Sequence, residues 1–81
     1  MNIIKKINNY IFENDYKLTI TEKYINIINY EEIINFSLNK IDIRCNKCII
    51  SIEGKDLIIS KMLNEEVLIK GTPLNISIKE H

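Results

Sequence analysis

The sequence predicts a mainly β fold: an antiparallel meander of about six to eight short strands, curled into a sheet, small barrel or roll, behind one N-terminal amphipathic helix. From Asp15 onward apolar and polar residues alternate, the period of a pleated strand. Twenty of the 81 residues are isoleucine, whose β-branched side chain is stiff at χ1 and suits a pleated surface. Ahead of this region Ile3, Ile4, Ile7, Tyr10 and Ile11 fall on one face at helical spacing, which predicts a helix within residues 1–15. The β domain then covers residues 16–81. A chain this short forms one domain and buries only ~60% of its unfolded surface, so its core is thin.

The expected strands follow the alternation: Leu18 and Ile20; Ile25 and Ile27; Ile41, Ile43 and Cys45; Cys48, Ile50 and Ile52; Leu57 and Ile59; Val67 and Ile69; Leu74, Ile76 and Ile78. Polar punctuation separates them at Glu22-Lys23, Asn46-Lys47, Gly54-Lys55, Asn64-Glu65 and Gly71-Thr72. In a hairpin with a two-residue loop, facing positions have a constant odd sum. A loop at Glu22-Lys23 therefore pairs Ile20 with Ile25 and Leu18 with Ile27, although neither loop residue favours positive φ. A loop at Asn46-Lys47 pairs Ile43 with Ile50 and Ile41 with Ile52. The same arithmetic at Gly54-Lys55 pairs Ile52 with Leu57, with Gly54 supplying the positive φ of a type II′ turn.

"ISIEGKDLIIS" from Ile50 and "VLIKGTPLNIS" from Val67 align without a gap at an offset of 17, so Ile52, Gly54, Leu57 and Ile59 recur as Ile69, Gly71, Leu74 and Ile76. A repeated hairpin is the expectation, and a short β-solenoid is the alternative. Pro73 has no N–H to give a ladder, which predicts a wider second loop or an edge position for the last strand.

Chemistry is sparse. His81, the single histidine, ends the sequence with no motif around it. Gly54-Lys55 lacks the remaining glycine and the Ser/Thr of a phosphate-binding loop. Glu31-Glu32 and Glu65-Glu66 are adjacent on extended chain, so each pair points to opposite faces. Cys45 and Cys48 have Cys-x-x-Cys spacing, but tetrahedral zinc wants four ligands and a redox pair wants a helix opening after a strand. Bracketing a hairpin turn, they are expected to face each other as small buried hydrophobes. No catalytic, cofactor or metal residue is expected.

Lys plus Arg and Asp plus Glu are 11 each, which gives no net field towards nucleic acid or an anionic membrane. No segment reaches the eighteen or so apolar residues of a membrane span. No small-residue cleavage site follows the N-terminal lysines, and a cytoplasmic protein is expected.

The ordered series Asn29-Tyr30, Ile33-Ile34, Phe36-Ser37, Ile41-x-Ile43, Ile50-x-Ile52-x-Gly54-x-x-Leu57-x-Ile59, Glu65-Glu66-Val67 and Ile69-x-Gly71 resembles the YabP/YqfC family of sporulation proteins, most of all its YqfC branch, over residues 18–71. The residues that carry the resemblance are Asn29, Tyr30, Ile33, Ile41, Ile52, Leu57 and Ile69, with turns at Asn46, Gly54 and Gly71. It implies a non-enzymatic protein of endospore formation, without cofactor, that helps assemble the spore envelope or coat. It further implies expression in the mother cell and pairing with a membrane-bound sporulation protein similar to YqfD, which would bring it to the forespore membrane surface. An open sheet edge would serve partner binding or homo-oligomers. A small β module for a lipid headgroup or other ligand is the alternative.

Overall fold

The computed structural model describes residues 2–4, 10–13 and 15–80, the first two stretches by their backbone. Eight strands pair antiparallel: β1 (Asn2–Ile4), β2 (Tyr10–Glu13), β3 (Lys17–Ile20), β4 (Ile25–Ile28), β5 (Glu32–Phe36), β6 (Lys40–Cys45), β7 (Cys48–Met62) and β8 (Glu66–Glu80). Their order is β2-β3-β4-β8-β7-β6-β5, with β1 also on β8. The sheet does not close, since β2 and β5 end the path.

β7 and β8 are 15 residues each, and each serves two halves of the molecule. Residues 66–69 of β8 pair with β4, and residues 75–77 pair with β1. Residues 48–53 of β7 pair with β6, while residues 58–62 face residues 67–70 of β8. The sheet folds over at the middle of this ladder. The inner faces of the two halves then share one core: Leu18, Ile20, Ile25, Ile27, Val67 and Ile69 from one, and Ile41, Ile43, Cys45, Cys48, Ile50, Ile52, Ile76 and Ile78 from the other.

Two of the expected loops are as read. Ile20 faces Ile25 and Leu18 faces Ile27. No positive φ is needed there, because Thr21 Oγ1 accepts from the Lys23 and Tyr24 N–H groups at 3.2 and 3.1 Å, a side-chain cap that holds the turn. At the second loop Ile43 faces Ile50 and Ile41 faces Ile52. The left-handed conformation falls on Lys47 (φ 63), and Asn46 ties the turn to Asp15 through Nδ2 to Oδ2, 2.9 Å.

Gly54-Lys55 and Gly71-Thr72 are not hairpin turns. Ile52 faces Ile76 and Ile59 faces Ile69, so both glycines lie within long strands, at the bend. A Cβ on Gly54 would run into the Thr72 carbonyl oxygen, and one on Gly71 (φ 129) would sit 2.6 Å from the Asp56 carbonyl oxygen. These glycines permit close backbone approach. Register shifts at Glu53/Gly54 and Lys55/Ile58 move the apolar face by one residue, from Ile52 to Leu57 and from Ile69 to Ile76. The β7–β8 hairpin turns instead at Asn64-Glu65, where the Leu63 N–H donates to the Glu66 carbonyl at 2.7 Å. Leu74, expected on the buried face, is half exposed, and Pro73 is buried opposite Gly54 in an interior strand. Its missing N–H costs little where the ladder is already broken.

The expected helix does not occur among the described residues: Asn2–Ile4 and Tyr10–Glu13 are strands on β8 and β3, while residues 5–9 and Asn14 lie outside the described residues. Isoleucine's preference for extended chain, combined with two strand edges to pair with, outweighs a short helical stripe. Antiparallel pairing throughout also excludes the solenoid.

The 17-residue echo has a structural meaning. Shifting Ile52 and Ile59 by 17 gives Ile69 and Ile76, and the pairs Ile52/Ile76 and Ile59/Ile69 exchange, so a pseudo-two-fold axis passes through the ladder. It extends outward. Ile25/Ile69 and Ile27/Val67 correspond to Ile41/Ile52 and Ile43/Ile50, and Leu18/Ile27 and Ile20/Ile25 correspond to Ile33/Ile43 and Phe36/Ile41. The bulge at Ile34 absorbs a one-residue difference. Thus β3 and β4 match β5 and β6.

Candidate docking site

The residues of the quoted motif series have mainly structural places. Ile41, Ile52, Leu57 and Ile69 are fully buried. Asn29 takes φ 68, a conformation asparagine tolerates, and its N–H donates to the Glu65 carbonyl at 2.6 Å as the chain leaves β4. Tyr30 and Ile33 differ: they lie where the core reaches the surface.

That place is a mouth between β5 and residues 58–62 of β7. At one end the Leu57 N–H donates to the Leu38 carbonyl at 2.9 Å and the Gly54 N–H to the Asn39 carbonyl at 3.0 Å, which draws the two edges together. At the other end the Tyr30 hydroxyl donates to the Leu63 carbonyl at 3.0 Å. Between these ties lies an open cleft of about 540 Å³ lined by Ile33, Phe36, Ile59, Ser60, Lys61 and Met62. Met62 continues it into a second hollow of about 710 Å³ with Tyr30, Leu63 and Asn64.

Register assigns these side chains to the interior. Ile33, Phe36, Ile59 and Met62 stand opposite Ile43, Ile41, Ile69 and Val67, all of them buried. Yet Phe36 and Met62 are each 60% exposed, and Leu63, which lines the second hollow with Met62, is half exposed. A contiguous uncovered patch of this kind marks an interaction surface. Among the described residues both flanking edges lack a neighbouring strand, and β5 carries neither Lys nor Pro, the residues that usually discourage edge pairing.

Charged side chains lie on the outer face of β5 and β6. Arg44 reaches Glu32 at 2.6 Å and Glu31 at 3.8 Å. On the outer face Asn35 donates to Asp42 Oδ2 at 2.9 Å, while Asp42 Oδ1 is buried without a partner. Lys61 makes no ion pair among the described residues.

Cys45 and Cys48 face each other across their turn as free thiols, both buried. Burial, and secondarily the neighbouring Cys48, pushes the Cys45 thiol up to about 12. Such a thiol is a poor nucleophile at neutral pH. Among the described residues, no three His, Cys, Asp or Glu side chains cluster to hold a metal. His81 lies outside the described residues.

The mouth was not visible as such in the sequence. The alternation skips residues 29–40, because the bulge at Ile34 breaks the period of β5, and Met62 lies beyond a second shift at Ile59/Lys61. The available signal was the run Ile33, Ile34, Phe36, Leu38, too apolar for a plain loop.

A family model described as the YabP family matches residues 11–81. No curated protein and no solved structure matches the chain.

Proposed function

We propose, on the premise that the chain belongs to the YabP family, a sporulation-associated family, that it is a non-enzymatic assembly or adaptor factor for the spore envelope or coat. Within the family we assign it to the YqfC-like branch. It works in the mother-cell cytoplasm and is held at the forespore membrane surface by a membrane-bound partner similar to YqfD. The observation that carries this reading is the uncovered apolar mouth at Phe36 and Met62, a surface suited to another protein. A headgroup site would want several convergent polar groups, and Ser60 and Lys61 are the polar residues lining the cleft beside Phe36.

Two experiments test it. Deleting the gene should give fewer heat-resistant spores, and the tagged chain should capture a membrane sporulation protein from sporulating cells. Normal heat-resistant spores would sink the sporulation role. Wild-type chain that captures no protein would sink the adaptor role.

A further inference from the structure

The pseudo-two-fold compares the mouth with a place that is covered. Ile33 and Phe36 of β5 correspond to Leu18 and Ile20 of β3, and Ile59 of β7 corresponds to Ile76 of β8. The covered members are buried, whereas Phe36 is exposed and Ile33 and Ile59 are only partly buried. The difference lies in the flanking backbone. β3 carries β2 along its outer edge, with Tyr10 facing Ile20 and Phe12 facing Leu18. β8 carries β1, with Ile3 facing Ile76. Their counterparts, β5 and residues 58–62 of β7, carry no strand on these edges among the described residues.

We infer that the open edge of β5 is a strand-addition site: it takes a four- to five-residue extended segment of a partner protein, antiparallel to residues 32–36, as β2 lies on β3. The inference rests on the adaptor reading and names its mode of contact. The backbone is poised for it. The Ser37 N–H donates to the Lys40 carbonyl at 2.8 Å, so in the alternating antiparallel ladder the Phe36 N–H and C=O, opposite Ile41, point away from β6 to the open edge. Alternate side chains of the added strand then descend onto Phe36, Ile33 and Met62, which selects branched aliphatic or aromatic residues at every second position. Lys61 at the rim favours an acidic residue beside them. The occupant is not the N-terminal segment of a second copy, because that segment already pairs with its own β3 and β8, and moving it opens one site to fill another.

The test uses the full chain and a fluorescent synthetic peptide of residues 2–13 as probe, beside the same peptide N-methylated at alternate amides. Methylation keeps every side chain and removes backbone donors. Expected are saturable binding, hydrogen-exchange protection in residues 32–36, and binding weaker by roughly tenfold or more for the methylated peptide and for Phe36→Asp. Equal binding of the methylated peptide, protection confined to residues 17–20, or no saturation up to roughly millimolar peptide would overturn the inference. Self-association of the unliganded chain through residues 32–36 would overturn it too, by making a second copy the occupant. A Phe36→Asp chain that still captures its partner from cells removes the strand site and leaves the adaptor reading standing.

Discussion

Ile20 and Phe36 occupy equivalent positions in the two halves, opposite Ile25 and Ile41, yet Ile20 is 4% exposed and Phe36 is 60% exposed. One fold therefore offers the same register position in a finished and an unfinished state. The contrast sets the first prediction. Phe36→Asp places a charge in water and should change stability by no more than about 0.5 kcal/mol. Ile20→Asp buries an unpaired carboxylate and should cost several kcal/mol, roughly 3 or more, enough to unfold a thin-cored domain. Urea titrations of both variants measure the difference. Equal losses would mean that Phe36 is packed and the mouth closed.

The bend sets the second. Gly71→Ala must force a Cβ against the Asp56 carbonyl at φ 129, combining overpacking with a left-handed penalty, for a loss of about 3 kcal/mol. Gly54→Ala meets the Thr72 carbonyl but without positive φ, and should lose about 1–3 kcal/mol. Thermal melts of the two variants give the order, with Gly71→Ala the lower. Melts at the wild-type temperature for both would mean that the two halves do not fold about these glycines.

These glycines also explain what the sequence conceals. The odd spacing between Ile52 and Leu57, with glycine between them, is what a two-residue hairpin produces, and a register shift in one continuous strand produces it as well. Parity alone does not separate the two. The core itself was readable, since Leu18, Ile20, Ile25, Ile27, Ile41, Ile43, Ile50, Ile52 and both cysteines are buried where alternation puts them. The pairings beside Glu22-Lys23 and Asn46-Lys47 were readable for the same reason. The echo was readable as a repeat and not as a two-fold, because a single sequence does not say which copies touch. The mouth depends on that two-fold and on which edges are covered, both tertiary facts.

A third prediction concerns the first turn. Thr21 Oγ1 accepts two backbone N–H groups, from Lys23 and Tyr24. Thr21→Ala should therefore cost about 1 kcal/mol, and Thr21→Ser, which keeps the hydroxyl, should recover most of it. Paired urea curves measure this. A Thr21→Ser loss as large as that of Thr21→Ala would mean that the methyl group matters and the hydroxyl does not.

The last prediction is an alkaline one. The Cys45 thiol is raised from 9.0 to about 12, first by burial and then by Cys48. Below pH 9 the thiol keeps its proton in both folded and unfolded chains, and it makes stability no steeper with pH. Between pH 9 and about 12 the unfolded chain releases the proton and the folded chain holds it, so folding stability falls as pH rises, by at most ~1.4 kcal/mol per pH unit from this group. The readout is the difference in pH dependence between wild type and Cys45→Ala, which isolates the contribution of this thiol. The variant should start less stable near pH 8, from the lost packing of a small buried side chain, and should then lose stability more slowly above pH 9. Native alkylation with iodoacetamide provides a second check, since a buried thiol of this kind should react at pH 8 only after denaturant exposes it. Rapid labelling of the folded chain, together with parallel stability curves, would place Cys45 at the surface and detach it from the core of the second half.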